Sequence, residues 1–396
     1  MRRLWKPLVV TLGLVLALDQ ALLHTVLSDG YLGGKRIAPF DPPVFFSAQS
    51  RSLARSKALA EGRPEPLDAA PDVDYDGTLG WAPLGSGQGV FRYDAAGTRV
   101  AHTSFPALRT PGVDRVLAIG CSFTRGDEVN VLEAWPAQLD AVEDLEVANF
   151  GVGGYGLDQS CLRYERDGRA LEADEVWVTI LPAALDRLVN VYRPALRHWD
   201  GSVLFKPRFV LESDGSLTHV PSPATTRAEL CRLVEDQERF LSATASDPFV
   251  ARFPRAFAPE GSDWTHRTSL GRLGLTVHEH RARKGERLAR DPAFGIVPLA
   301  ARILKRLETT ASERGQRLRV FVIPCQADLW TLNETGGVRY WSGVESNLAP
   351  TTPFLDATDA LLDAGADTDA GLWRPGGHPS PEGHQLLAEL LTSNWR

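Results

Sequence analysis

The sequence predicts an α/β fold built on a parallel, doubly wound sheet, and three observations carry that expectation. Residues 113–119 read as a strand whose four apolar residues at 116–119 stop at Gly120-Cys121-Ser122, as a buried strand ends in a tight turn. Further segments at 145–149, 175–181 and 317–323 read as strands along the chain. Helix-compatible segments at 157–169 and 300–314 lie between them. Strands alternating with helices are the pattern of βαβ units, which set parallel strands side by side with helices on both faces.

Taken in order, the chain opens with Arg2, Arg3 and Lys6 ahead of an apolar run over 8–18, which resumes after Asp19 and Gln20 as far as Leu27. A charged start and an apolar stretch match an export signal, and the segment is about the length of a membrane span. Asp19 near its middle would cost roughly 2.5–3.5 kcal/mol on insertion scales. Asp19-Gln20-Ala21 puts an acid where a cleavage site needs a small residue, so residues 1–28 are expected to stay as an uncleaved anchor. A cleaved signal peptide and a soluble amphipathic helix are the alternatives. Basic residues before the span leave the N-terminus in the cytoplasm and the bulk of the chain in the periplasm or at the cell surface.

Residues 29–75 are rich in Pro, Ala, Arg and Asp, and Pro42-Pro43 and Arg63-Pro64-Glu65-Pro66 interrupt regular structure. They read as a stalk or surface wrap within an N-terminal extension over 29–112. Gly80-Trp81-Ala82-Pro83 and residues 89–93 suggest a short hairpin. The α/β domain then runs over 113–396, with helical spacing at 129–142. Between 190 and 295 the alternation breaks down, and this block is expected to be an insertion over the sheet's carboxyl edge, a lid or substrate wall. Within it, 206–211 and 216–220 flank Ser213-Asp214-Gly215 as a hairpin, and 225–241 reads as one helix. His278 and His280 alternate as strand neighbours would, and are expected at the surface and not on a metal. Helices at 359–364 and 385–394 close the chain, with Ser380 as an N-cap and Pro381 at the first helical position.

At 396 residues and 43% hydrophobic content the chain can bury a large core. A net charge of -7 without a long Lys/Arg run argues against a nucleic-acid partner, and none is expected. The four cysteines, Cys121, Cys161, Cys231 and Cys325, fit no zinc spacing. In an oxidising compartment they could pair, although Cys121 reads as a small packed residue. No cofactor and no metal is expected.

In doubly wound sheets the ligand crevice lies beyond the carboxyl ends of the strands. Ser122 stands at one such end, where it is either a nucleophile awaiting a base and N–H donors or a helix cap. The glycine-dense Asn149-Phe-Gly-Val-Gly-Gly-Tyr-Gly156 stands at the next, letting backbone approach a ligand closely. Late in the chain, Gly376-Gly-His-Pro-Ser-Pro-Glu-Gly-His384 puts His378 on a loop free to point into a cleft, whereas His384 falls inside the helix.

The order Gly-x-Ser-Phe-Thr-x-Gly, Asn-x-Gly-x-x-Gly-Tyr-Gly and Gly-His-Pro-Ser-Pro-x-Gly-His resembles the SGNH (GDSL-type) hydrolase superfamily, and most closely its exported bacterial branch with an N-terminal membrane segment. The similarity covers roughly 113–190 and 317–396, with weaker echoes at Gly80-Trp81 and in the hairpin at 206–220. It implies a flavodoxin-like three-layer α/β/α sandwich and ester chemistry. Ser122 matches the nucleophile and His378 the catalytic base; the N–H groups of Ser122 and Gly154 match the oxyanion hole. Three positions depart from the pattern. Cys121 replaces the Asp of Gly-Asp-Ser; Leu185 stands where an Asn should donate to the oxyanion; and Gly376 replaces the Asp that orients the histidine. Losing an orienting acid costs about 10⁴ in rate and losing an oxyanion donor about 10² or more. Asp367, Asp369 or a carbonyl near Arg374–Gly376 could orient His378 instead, and Asn190 could replace the missing donor.

The resulting expectation is a membrane-anchored serine esterase or O-acyltransferase acting through Ser122 and His378, on O-acetyl or related esters of extracytoplasmic glycans or small molecules. The rival is a degenerate member of the fold that binds carbohydrate or a partner without catalysis. Oligomeric state is not legible.

Overall fold

The computed structural model describes residues 5–25, 30–63, 73–83, 91–101, 104–141, 145–198, 201–284 and 287–395. The expectations at Arg2, Arg3, Leu27, Pro64–Pro66 and Gly89 lie outside these. The chain forms two compact units, one of Met1–Pro66, Asn190–Lys206 and Pro223–Glu286, the other of Leu67–Val189, Pro207–Ser222 and Arg287–Arg396.

The second unit holds a five-stranded sheet made of β1 (Asp114–Ile119), β2 (Leu145–Asn149), β3 (Glu175–Ile180), β4 (Arg317–Val322) and β5 (Phe354–Asp356). Every neighbouring pair is parallel, and the spatial order is 2-1-3-4-5. That is the flavodoxin-like doubly wound order, with its switch point between β1 and β3. Strands β2 and β3 are buried throughout, and their polar members Glu146, Asn149, Glu175 and Thr179 are buried with the apolar ones.

Helices cover both faces. On one, Val116 and Ala118 pack with Trp135, Leu139, Leu387 and Leu391, which belong to α1 (Trp135–Asp140) and α5 (Pro381–Trp395). The other face carries α2 (Leu157–Asp167) and α3 (Ile296–Glu313), which pack on each other. Ordered around the sheet are α4 (Gln326–Thr335) and an antiparallel hairpin, Arg208–Leu211 with Leu217–Val220, turning at Gly215 with φ +81°.

Some elements are shorter than their periodicity suggested. The described residues 129–141 contain a 3-10 turn, Val131–Glu133, and α1, because the chain is extended at Ala134 and the helix opens only at Trp135, with Pro136 in its first turn. The final helix begins at Pro381, the position expected to open it, with Ser380 Oγ capping the N–H of Gly383 at 3.1 Å.

In the first unit, residues 29–66 are ordered where described. They include a helix at Ser47–Ala60 and bury Phe40 and Phe45 against Phe257. The helix expected over 225–241 is two, Arg227–Glu235 and Gln237–Ala243. Asp236 interrupts it and caps the second with its side chain. His278 and His280 are exposed, but on a helix, Ser269–Arg283, and not on a strand. Their spacing of two fits a strand only if the apolar positions between them alternate as well.

The N-terminal helix Trp5–Thr25 exposes Val9, Val10, Leu12, Leu14, Val15, Leu16 and Leu18. Asp19 is buried, its carboxylate accepting the Leu270 N–H at 2.8 Å, in the first turn of Ser269–Arg283. Among the described residues no helix is long and apolar enough to cross a membrane.

Candidate active site

The Ser122 loop is shaped by what surrounds it. At Gly120, where β1 ends, a Cβ would lie 2.0 Å from Thr179 Oγ1 and 2.2 Å from Thr124 Oγ1, so the position accepts only glycine. Ser122 then opens a single helical turn, Ser122–Arg125, and is 5% exposed. Arg99 donates to the carbonyls of Arg125, of Gly126 at 2.7 Å and of Val129 at 2.9 Å, bracing the loop from outside. Burial brings this guanidinium down to about 10, opposed by nearby Tyr93. Arg125 forks onto Asp127 at 2.5 and 2.7 Å and lies 3.9 Å over the Phe91 ring.

The glycine turn sits directly against this loop. Asn149 Nδ2 donates to the carbonyls of Thr124 and Arg125 at 3.0 and 3.2 Å, while its Oδ1 accepts the Gly151 N–H at 3.1 Å. A Cβ on Gly151 would fall 2.3 Å from the Arg125 nitrogen, and one on Gly153 2.4 Å from the Arg125 guanidinium. Trp81 donates its indole N–H to the Gly153 carbonyl at 3.1 Å, and the Tyr155 hydroxyl donates to the Trp81 carbonyl at 2.5 Å. Gly154 has φ +82°. Among the described residues, neither its N–H nor that of Ser122 donates to a protein acceptor.

His378 reaches the same loop from the other end of the chain. Its Nδ1 is 2.6 Å from Glu128 Oε2, and the Gly376 N–H donates to Glu128 Oε1 at 2.9 Å. The ring centroid lies 5.6 Å from that of Phe123, and Nε2 stands 3.9 Å from Asp127 Oδ2. An ionised carboxylate can only accept, so Nδ1 carries the proton and Nε2 of the neutral ring is left as the base. Burial raises the Glu128 carboxyl, but the bonds from His378 and Gly376 outweigh it and hold the group below its usual range. Ser122 Oγ and His378 make no hydrogen bond with each other in this structure.

The substitutes weighed from the sequence are engaged elsewhere. Asp367 accepts from Asn333 at 2.7 Å and Asp369 from the Gly371 N–H at 2.7 Å. Asn190 belongs to the first unit, where its amide donates to the Tyr192 carbonyl and to Asp247 at 2.8 and 3.0 Å. Leu185 is buried, 2% exposed, in the 3-10 turn Pro182–Leu188, and offers no donor. All four cysteines are free. Burial, with the charge of Asp328, pushes the Cys325 thiol up to about 12, too high for a thiolate nucleophile. Among the described residues no group of His, Cys, Asp and Glu could hold a metal ion.

Sequence reasoning missed Glu128, Arg99 and Arg125. Glu128 lies within the stretch that drew attention to Ser122, but nothing in its spacing shows that a left-handed backbone, φ +66°, turns it towards His378. Arg99 had no signal beyond its charge.

No family model and no curated protein matches the chain. Among solved structures it is similar to a lipolytic protein of the G-D-S-L family from Desulfitobacterium hafniense, at 16% identity and a TM-score of 0.35, covering 70% of this chain and 98% of that one. It is similar also to a G-D-S-L family member from Veillonella parvula, at 12% identity and a TM-score of 0.35, covering 72% and 98%. A third is an acetylxylan esterase from Geobacillus stearothermophilus, at 14% identity and a TM-score of 0.37, covering 72% and 94%.

Proposed function

We propose that this protein performs serine-dependent ester chemistry, with Ser122 as nucleophile and His378 as general base. The observation that carries the reading is the Glu128–His378 bond of 2.6 Å. It fixes the tautomer that leaves Nε2 basic, on a ring gathered onto the loop that bears Ser122.

In the proposed reaction Ser122 Oγ attacks the ester carbonyl as its proton passes to His378 Nε2. The N–H groups of Ser122 and Gly154 hold the tetrahedral oxyanion, each such donor being worth about 3 kcal/mol. Collapse expels the alcohol, which takes the proton from Nε2. Water then releases the acid, or a second hydroxyl accepts the acyl group. Ser122 Oγ and His378 are not hydrogen-bonded here, so the reaction requires a movement of the ring or of Ser122 that brings Nε2 to the hydroxyl, as catalytic hydrogen bonds often form only with substrate in place. O-acetyl groups of extracytoplasmic glycans are the substrates that fit an export segment. Lipid around the exposed apolar side chains of Val9–Leu18 is the anchor that belongs to the same proposal.

The second reading, a binding protein that keeps the cleft without turnover, is favoured by one observation, the apolar Leu185 in place of a donor. Hydrolysis of p-nitrophenyl acetate by the full chain separates the two. Ester cleavage that falls by about 10³-fold or more in Ser122→Ala supports the enzyme. Turnover absent from the wild type, or unchanged by Ser122→Ala, overturns it.

A further inference from the structure

We infer that Glu128 is the positioning carboxylate of His378 and that Gly376 is a glycine because of it: the acid has moved from the histidine's loop to the nucleophile's loop. The inference deepens the reading of Ser122 and His378 as a reactive pair and rests on it for its kinetic part.

Three observations meet at Glu128. One carboxylate oxygen holds His378 Nδ1 at 2.6 Å and the other accepts the Gly376 N–H at 2.9 Å, so both oxygens are committed to the histidine loop. A Cβ at position 376 would fall 2.3 Å from Glu128 Oε2 and 2.7 Å from its carboxyl carbon. Any side chain there, aspartate included, would push the carboxylate off the ring. Glu128 also stands at φ +66°, where a residue with a Cβ pays about 1–2 kcal/mol. A backbone held there against that cost, and aimed at an imidazole, is a built arrangement.

The exchange has a physical logic. An acid two residues before the histidine fixes the ring from its own loop, independently of the nucleophile. An acid six residues after Ser122 ties the ring to the nucleophile's loop, which Arg99 and Arg125 already stiffen. The base is then tethered to the segment that carries the nucleophile. Asp127, 3.9 Å from Nε2, is forked by Arg125 and is not free to take the same part.

The test uses full-length Glu128→Ala, Gly376→Asp and the double variant, each checked by thermal unfolding to be folded. Two readouts follow: kcat/KM for p-nitrophenyl acetate, and the tautomer of neutral His378 from ring ¹⁵N shifts. The wild type is expected to show Nδ1–H. Glu128→Ala is expected to lose that preference and to drop at least about 10²-fold in kcat/KM, mostly in kcat. Gly376→Asp alone should also be impaired, since its side chain displaces Glu128. Glu128→Ala/Gly376→Asp should recover at least tenfold over Glu128→Ala and regain the Nδ1–H form. A Glu128→Ala protein with unchanged tautomer overturns the proposal, as does a double variant no better than either single one. Should the wild type not turn over but keep the Glu128-dependent tautomer, the enzymatic reading fails while the positioning role stands.

Discussion

His384 shows how a neighbouring, similar residue is fitted for a different task from His378. It is fully buried on α5, and its Nδ1 accepts the Trp135 N–H at 3.3 Å. Burial, helped by the charges of Arg99 and His378, lowers it to about 3. The folded state therefore resists a proton that the unfolded chain accepts near pH 6.5. Stability is full above that pH and falls as pH drops towards 3. His384→Gln keeps a neutral acceptor for Trp135 without titrating. Urea denaturation should show the variant gaining about 2–3 kcal/mol on the wild type between pH 7.5 and 4.5; an unchanged gap would contradict the assignment. At this scale the sequence shows where the proposed residues stand: Ser122 and Gly154 in turns after strands and His378 on a loop before the final helix. Glu128 was not legible, because its part depends on one left-handed backbone angle and on the empty space at Gly376.

Among the elements, the strand Gly80–Pro83 does more than its length suggests. Its Trp81 is 2% exposed, grips the Gly153 carbonyl and takes a hydrogen bond from Tyr155. It thereby sets the turn that carries Gly154. Trp81→Ala is expected to cost about 3–5 kcal/mol in chemical denaturation. At a temperature where the variant stays folded, its esterase rate should also fall; a full rate on a destabilised chain would show that the turn does not need this brace. Four of the five strands were readable from short, mostly apolar segments, whereas Phe354–Asp356 is only three residues long and gave no such signal. Helix limits were less readable, since Asp236 and Ala134 break elements through local backbone geometry that periodicity does not register.

For the whole molecule, the doubly wound sheet was legible from alternation, and its 2-1-3-4-5 order explains why Ser122 and the glycine turn share an edge. Less of the organisation beyond the sheet could be read. The N-terminal segment and much of the block after 190 form one compact unit, from stretches that are distant in sequence and individually rich in Pro and charge. Their pairing depends on contacts such as Phe40 and Phe45 with Phe257, which no local pattern announces. The central proposal is that Ser122 acts as nucleophile with His378 as its base, the histidine being held against the Ser122 loop by Glu128. Fluorophosphonate labelling of the full chain, with the adduct mapped by mass spectrometry, tests it most directly. The account predicts a single adduct on Ser122, formed at least about 10²-fold more slowly in His378→Ala. No adduct on Ser122, or an equal rate without His378, would contradict it.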